Sequence, residues 1–313
     1  MEKDHDLISS IMPTGPETTV EIKNLPRMWL IFLKALLISP FRPNTLANNA
    51  HVSGTRIVLQ NFLPDQALVD NYRTVCGFHK NNPDTIPITY LQTLFIGLLG
   101  KFIISPFFPL NPMGLIQTYQ SFEQKRPVKT NEFLDLACIL GGFAKKETGV
   151  ETRFILDVRS GEETVWQGVS SFFTRSSAKK TPSSKKQDEI FLTKREAIPV
   201  PLGTGRRYAS VSGDYNPHHL YTIFAKLFGF KKAIAHGMWS LARVTASLDR
   251  EFDLHKGPAG IEASFKLPVF MPAVTALGWE QSEGEDTGPG AVNFELRDQQ
   301  KGLPHLKGRL LLH

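Results

Sequence analysis

The stretch YASVSGDYNPHHLYTIFAKLFGFKKAIAHGM, Tyr208 to Met238, decides how the rest of the chain is read. Asp214 stands five positions ahead of His219, and Asn216-Pro217 lies between them. That pair favours a turn over a continued helix, so the two side chains fold toward one point. The stretch closes on His236-Gly237-Met238, and an amphipathic segment, Met238 to Leu248, follows. A helix starting at Gly237 presents unpaired backbone N–H groups at the positive end of its dipole. An acid, a base and an anion site thus fall in one short run, suited to moving a proton beside a carbonyl whose oxygen gains negative charge.

Each residue also has a plainer role. Asp214 and Asn216 are suited to satisfying turn amides. Asn216 is otherwise a candidate for orienting the pair. Gly237 offers an N–H with no side chain in the way of a carbonyl, or else allows close helix–sheet packing. Thr245, two turns along the same helix, reaches either a ligand or its own backbone, with the backbone favoured. His218 adjoins His219. Neighbours in a turn point in different directions, so one of the two is expected to face the site.

Outward from this stretch, a helix followed by strands occurs twice. Thr89 to Ile104 reads as a long apolar helix, followed by strand-like runs Gly114 to Gln124, Glu132 to Lys145, Thr148 to Ser160 and Thr164 to Thr174. Gly141-Gly142 marks a bulge or bend. In the second half a strand-like start near Ile190 to Leu192 leads to the motif, a short helix at Tyr221 to Phe228, and the helix from Gly237 to about Asp249. Further runs follow at Gly260 to Leu267, Ala273 to Gln281, Ala291 to Arg297 and His305 to Leu312. Antiparallel strands curled around a buried helix give an α+β fold with an internal duplication. Ahead of the first unit, Arg56 to Leu63 reads as a strand and Asp65 to Gly77 as a helix or turn. Residues 1 to about 23 read as polar and without regular structure. Leu25 to Ser39 reads as a short helix in which Trp29, Leu30, Leu33, Leu36 and Leu37 form one apolar face, expected to pack on the body of the protein. With Arg27, Lys34 and Arg42 nearby, the sharper alternative is an interfacial membrane helix. The division expected is an extension over 1–48, a first domain over 49–175, a Ser/Lys-rich linker over 176–189 and a second domain over 190–313.

The chain has 313 residues, of which 41% are apolar and 21% charged, as in soluble globular proteins. Cys76 and Cys138 are its two cysteines. They give no disulfide framework and no paired-thiolate metal motif, which fits a reducing, cytoplasmic setting. The net charge is +6, part of it in the segment Ser176 to Glu189. Nucleic-acid modules, a nucleophile elbow, a Walker loop and a dinucleotide fingerprint are not found. Met28 to Ile38 is too short to span a bilayer, and Gln92 and Lys101 interrupt Ile86 to Ile104.

The motif resembles the hydratase signature of MaoC-like proteins, the (R)-specific enoyl-thioester hydratases and 3-hydroxyacyl-thioester dehydratases. ASFKLPVF, Ala263 to Phe270, is similar to that family's strand after the central helix, and the likeness to its long two-domain members runs over roughly residues 50 to 313. The resemblance implies a double hotdog, two antiparallel sheets each wrapped around a central helix, with one active site per chain. It places the catalytic pair on Asp214 and His219, the motif asparagine on Asn216 and the oxyanion glycine on Gly237. It implies a substrate carried on coenzyme A or acyl carrier protein. No other cofactor and no metal are expected, and the chain is expected to be a monomer of two hotdogs or a homodimer. Arg206, Arg207, Lys231 and Lys232 are the candidate cations for the carrier, or plain solvated surface. The first half, whose loop reads CGFHKNNPDT, is expected to hold the acyl tail. Two features depart from the family pattern: His218 replaces a small aliphatic residue, and Tyr221-Thr222 replaces Asp-Pro. The rival readings are a silent acyl-thioester binding protein and a thioesterase on the same fold.

Overall fold

The structure is a computed structural model that describes residues 17–46, 54–79, 82–176, 193–282 and 290–312. The first half contains β2 (Gly54–Phe62), α2 (Gln66–Cys76), α3 (Tyr90–Ile103), β3 (Leu115–Gln124), β4 (Leu134–Lys146), β5 (Gly149–Ser160) and β6 (Glu163–Arg175). The second half contains β7 (Lys194–Val200), α4 (Thr204–Ser212), the short helices α5 (Pro217–Leu220) and α6 (Thr222–Leu227), α7 (Gly237–Phe252), β8 (Ala259–Phe265), β9 (Ala273–Ser282), β10 (Ala291–Asp298) and β11 (Pro304–Leu312). Strand β1 (Glu17–Glu21) and helix α1 (Met28–Ile38) precede both.

The strand order β1-β2-β4-β5-β6-β3-β8-β11-β10-β9-β7 shows the duplication directly. Read from either end toward the β3–β8 junction, each half runs first, third, fourth, fifth and second strand in its own chain order. The two expected sheets are joined edge to edge, with Tyr119 opposite Ser264 and Gln124 opposite Ala259. This is a double hotdog. Helix α3 is the apolar centre of one half, with Leu91, Phe95, Leu98 and Phe102 buried, and it packs against β2, β4 and β5. Helix α7 is the centre of the other, burying Leu241, Val244 and Leu248.

The helices cross between halves. α4, from the second half, packs on α3 of the first, and α2 packs on α7. Tyr72 and Tyr208 meet at this crossing with centroids 6.1 Å apart, and Trp239 Nε1 donates to the Val75 carbonyl. Each loop helix ends on a glycine in the left-handed region, Gly77 at φ +82° and Gly213 at φ +78°, so both chains turn out of their helices the same way. The expected bulge in β4 falls between Leu140 and Gly142.

Two expectations need correction, and a third falls outside the described residues. Residues 17–21 are not irregular: Thr18, Thr19 and Val20 favour extended backbone, and β1 adds in parallel to the open edge of β2. The expected strand-like start near Ile190 to Leu192 falls outside the described residues; the first described strand of the second half is β7. The outer face of α1 does not pack on the body. Ile31 and Ala35 are buried instead, and Trp29, Leu30, Leu33, Leu36 and Leu37 point outward. Position 100 accounts for this choice, because a Cβ on Gly100 would lie 2.9 Å from Ile31 Cγ2. The bare backbone of α3 thus seats the Ile31 side of the helix. The Ser/Lys-rich segment lies largely outside the described residues.

The paired glycines give a stability prediction. A Cβ at Gly213 would meet open space, whereas one at Gly77 would lie 3.2 Å from Arg243 Nε. Gly213→Ala should lower the unfolding free energy by about 1 kcal/mol through backbone strain alone. Gly77→Ala should lower it further. Urea melts of the two variants test this, and equal midpoints would show that the Arg243 contact has no effect.

Candidate active site

The loop after α4 turns at Gly213 and presents Asp214. Asp214 Oδ1 accepts from Asn216 N–H (3.2 Å), and Asp214 N–H donates to Ser212 Oγ (3.2 Å). The turn therefore holds the carboxylate through the Asn216 amide, as Asx turns do. Pro217 then starts α5, a single turn that the residue pattern alone does not reveal, and it carries His218 and His219.

His219 is 8% exposed. Its Nδ1–H donates to the Ile234 carbonyl (2.9 Å), which leaves Nε2 as the nitrogen with a free lone pair. Burial holds its pKa well below the usual imidazole value, and the neighbouring His236 and His218 rings act the same way against the opposing pull of Asp214. The ring is held neutral. His236 stacks on it, centroids 3.7 Å apart and planes 27° from parallel. Its Nε2–H donates to the Asp214 carbonyl (2.9 Å). Burial pushes the His236 pKa down to about 3. A carboxylate oxygen of Asp214 and ring nitrogens of His219 and His236 lie within 4.8 Å of one another. One water can bridge a carboxylate and an imidazole at that spacing. The same trio is the one group among the described residues with the composition of a metal site. However, near-parallel stacked rings direct their lone pairs side by side, not onto one ion about 2 Å from each.

A cavity of about 310 Å³ runs from Asp214, the member of the trio that lines it, into the first half. Asp214, Asn216, His218 and Tyr208 line its head. One face of α3, Ile96, Leu99, Gly100 and Ile103, forms its length with Phe154 and Phe172 opposite, and Ile31 and Ala35 of α1 lie at its far wall. From Gln92 to Ile103 the cavity follows about 16 Å of helix axis. Of the matching positions of α7, counted from the first residue of each helix, two are charged, Arg243 and Arg250, which correspond to Ile96 and Ile103. Arg243 donates to Glu196 (2.7 Å) and to Ser247 Oγ (2.7 Å), and Arg250 lies 3.8 Å from Glu196. The long apolar wall of the cavity is therefore built on α3, with Met238 the one α7 residue in its lining. In the first-half loop, Phe78 follows the left-handed Gly77 where Asp214 follows Gly213, so that loop has no carboxylate at the matching place.

The other expected residues divide. Asn216 lines the cavity, and it is its backbone that fixes the turn: its carbonyl accepts from His219 N–H (3.0 Å). Gly237 is the first residue of α7. Its helix carbonyl ladder begins only with Ser240 N–H to His236 O, so the Gly237 N–H has no partner within the helix. A Cβ there would lie 2.9 Å from the Phe265 ring, so close packing also requires the glycine. Thr245 is fully buried and its hydroxyl donates to the Leu241 carbonyl (2.9 Å), which removes it from ligand contact. Arg206, Arg207, Lys231 and Lys232 are all exposed and outside the cavity lining. Arg206 donates to the Leu220 carbonyl and lies over the Tyr221 ring, 5.2 Å from its centroid.

Three residues were not assigned from sequence. His236 was visible only as part of His-Gly-Met. Tyr208, which opens the motif, lines the cavity and packs on the His236 ring, 4.9 Å between centroids. Gln92 is buried at the cavity head with Oε1 unpartnered; a glutamine inside an apolar helix was its signal. His218, not His219, forms the cavity wall, with its buried Nδ1 unpartnered. Both histidines therefore adjoin the site, His218 toward the cavity and His219 toward the trio.

Fold and site together define a hotdog protein with a carboxylate, Asp214, at the head of an apolar cavity and a buried neutral histidine, His219, beside it. The chain matches the MaoC like domain over residues 187–298. It is 31% identical over 247 residues to 3-hydroxyacyl-thioester dehydratase X of Mycobacterium tuberculosis, covering 77% of this chain and 84% of that protein. It is 28% identical over 198 residues to the peroxisomal enoyl-CoA hydratase 2 of Arabidopsis thaliana, covering 56% of this chain and 63% of that one. The crystal structure of HtdX from Mycobacterium tuberculosis superposes with a TM-score of 0.68 at 26% identity, over 82% of this chain and 99% of that chain. The chain belongs to the MaoC-like family.

The neutral histidines make stability depend on pH. In the unfolded chain each imidazole returns to a pKa of about 6.5, so below that pH the unfolded state binds more protons than the folded one. Stability then rises with pH and is lost as pH falls from about 6.5 toward 3. Urea unfolding free energy should drop by roughly 1.4 kcal/mol per pH unit per histidine across this window. His236→Asn should remove about one histidine's share of that slope. An unchanged slope in the variant would mean that His236 is charged in the fold.

Proposed function

We propose that the protein adds water reversibly across the C2–C3 double bond of trans-2-enoyl thioesters, giving (R)-3-hydroxyacyl thioesters, as a hydro-lyase of fatty-acid metabolism. The observation that carries this reading is the neutral His219, its Nδ1–H held by the Ile234 carbonyl, beside the Asp214 carboxylate at the head of an apolar cavity. The relatives named dehydratase and hydratase support the same chemistry. In this scheme the thioester oxygen lies on the Gly237 N–H, which stabilises the enolate-like charge. The water held between Asp214 and His219 bonds through oxygen to C3, and its proton passes to the pair. The pair returns a proton to C2, so the two fragments of water end on C3 and C2 and the pair ends as it began. The acyl tail lies along α3.

The carrier is coenzyme A or acyl carrier protein, with Arg207, Lys231 and Lys232 offered outward to its phosphates or acidic surface. The chemistry needs no further cofactor and no metal. A reducing, cytoplasmic setting suits two buried free thiols. Among the described residues no helix is long and apolar enough to cross a membrane.

Purified protein with enoyl-CoA substrates of several chain lengths should remove the conjugated enoyl absorbance. Asp214→Asn and His219→Ala should each lower turnover on the order of 10²-fold or more. His218→Val, which restores a small aliphatic residue, should keep turnover within a few-fold of the parent. If His218→Val is as damaged as His219→Ala, the base is misassigned. Because His219 is already neutral, kcat/KM should stay level as pH falls through about 6.5. Ile96→Trp should raise KM for long-chain substrates roughly tenfold or more, since each displaced methylene is worth about 0.8 kcal/mol, and leave the shortest unaffected. Equal effects on all chain lengths would place the tail elsewhere. Release of free thiol from a saturated acyl-CoA would instead indicate a thioesterase.

A further inference from the structure

The outward face of α1 lies away from Asp214 and His219, and of its residues Trp29 alone also reaches the cavity lining. Placed at 100° per residue, Leu36, Trp29, Leu33, Leu37 and Leu30 form one continuous stripe bordered by Lys34, and Ile31 and Ala35 lie on the opposite side against α3. Every member of the stripe is exposed, Trp29 by 60% and Leu37 by 64%, and Phe41 just beyond the helix is exposed by 87%. Patches of this kind on a folded protein mark an interaction surface. The helix is not loosely placed. Arg42 anchors its end by donating to the Ile103 and Ser105 carbonyls (2.8 and 2.7 Å), and Gly97 and Gly100 of α3 leave room for Pro26 and Ile31.

Charge selects the occupant. Lys23, Arg27 and Lys34 are exposed around the stripe, and no aspartate or glutamate occurs anywhere from residue 22 to residue 46. A two-fold contact between copies of this chain would set the same patch against itself, and none of these cations would meet an opposite charge. The helix is 11 residues long, about 16 Å of axis, too short to cross a bilayer. A short helix with Trp and Leu on its outer stripe and cations at the border fits the headgroup boundary of a membrane.

We propose that α1 docks flat on an anionic lipid surface, the stripe entering the headgroup boundary and Lys23, Arg27 and Lys34 meeting lipid phosphates and carboxylates. This goes beyond the reaction proposed above and does not depend on it. It places the far wall of the cavity, formed by the inner side of the same helix, against the bilayer.

The test uses the full chain with vesicles of phosphatidylcholine alone and of phosphatidylcholine with about 30 mol% phosphatidylserine, separated by sedimentation at low salt. Binding to the anionic vesicles should be at least about tenfold tighter than to the neutral ones and should weaken on adding salt. The double variant Leu33→Ser/Leu37→Ser touches no cavity wall and should fold normally by circular dichroism, keep turnover on a short enoyl-CoA, and lose roughly tenfold or more of the vesicle affinity. No binding to either vesicle, equal binding to both, or binding unchanged in the double variant overturns the proposal. So does a concentration-dependent dimer that the double variant abolishes, which would assign the stripe to self-association.

Discussion

Six residue pairs between β3 and β8 hold the cavity together. Everything that makes the site sits on one side or the other of that seam. The carboxylate, both imidazoles and the helix start at Gly237 come from the second half, and the apolar wall comes from α3 in the first. The pairing fixes how far the loop after α4 lies from the first turn of α3, and so where Asp214 lies relative to Gln92. Backbone hydrogen bonds between strands suit this task because they set register as well as distance.

Within the site, backbone carbonyls do the orienting that side chains perform in many acid–base centres. Ile234 O fixes one imidazole and Asp214 O the other. A carbonyl can only accept, so each ring must turn its N–H toward it and keep its lone pair elsewhere. Burial then keeps both rings uncharged. The stacking of His219 on His236 is compatible with that state, since two imidazolium rings 3.7 Å apart would repel.

The doubled helix-then-strands plan could be read from residue order, because apolar period and turn residues mark element type. Asp214, His219, Asn216 and Gly237 were legible because the motif compresses them into one run. What the order could not show was direction. The apolar face of α1 was identified residue by residue, yet its outward orientation depends on Gly100, far along the chain. His236 and Gln92 were hidden for a related reason. A histidine before a glycine and a glutamine in an apolar helix gain meaning only from neighbours that the fold brings in. Thr245 shows the converse, a polar side chain on the right helix whose partner is its own backbone. Strand β1 escaped notice because a five-residue edge strand has no pattern of its own and borrows its order from β2.

A protein assembled from two identical hotdog subunits would carry every substitution twice, once in each role. Here Gly77-Phe78 and Gly213-Asp214 occupy matching turns, and Ile96 and Arg243 matching helix positions, yet each is free to differ. Covalent linkage has separated two demands that a symmetric pair must satisfy with one surface. Greasy lining and proton-moving polarity no longer compete for the same codon. The depth of the cavity is then adjustable by changes on α3 that leave Asp214 and His219 untouched.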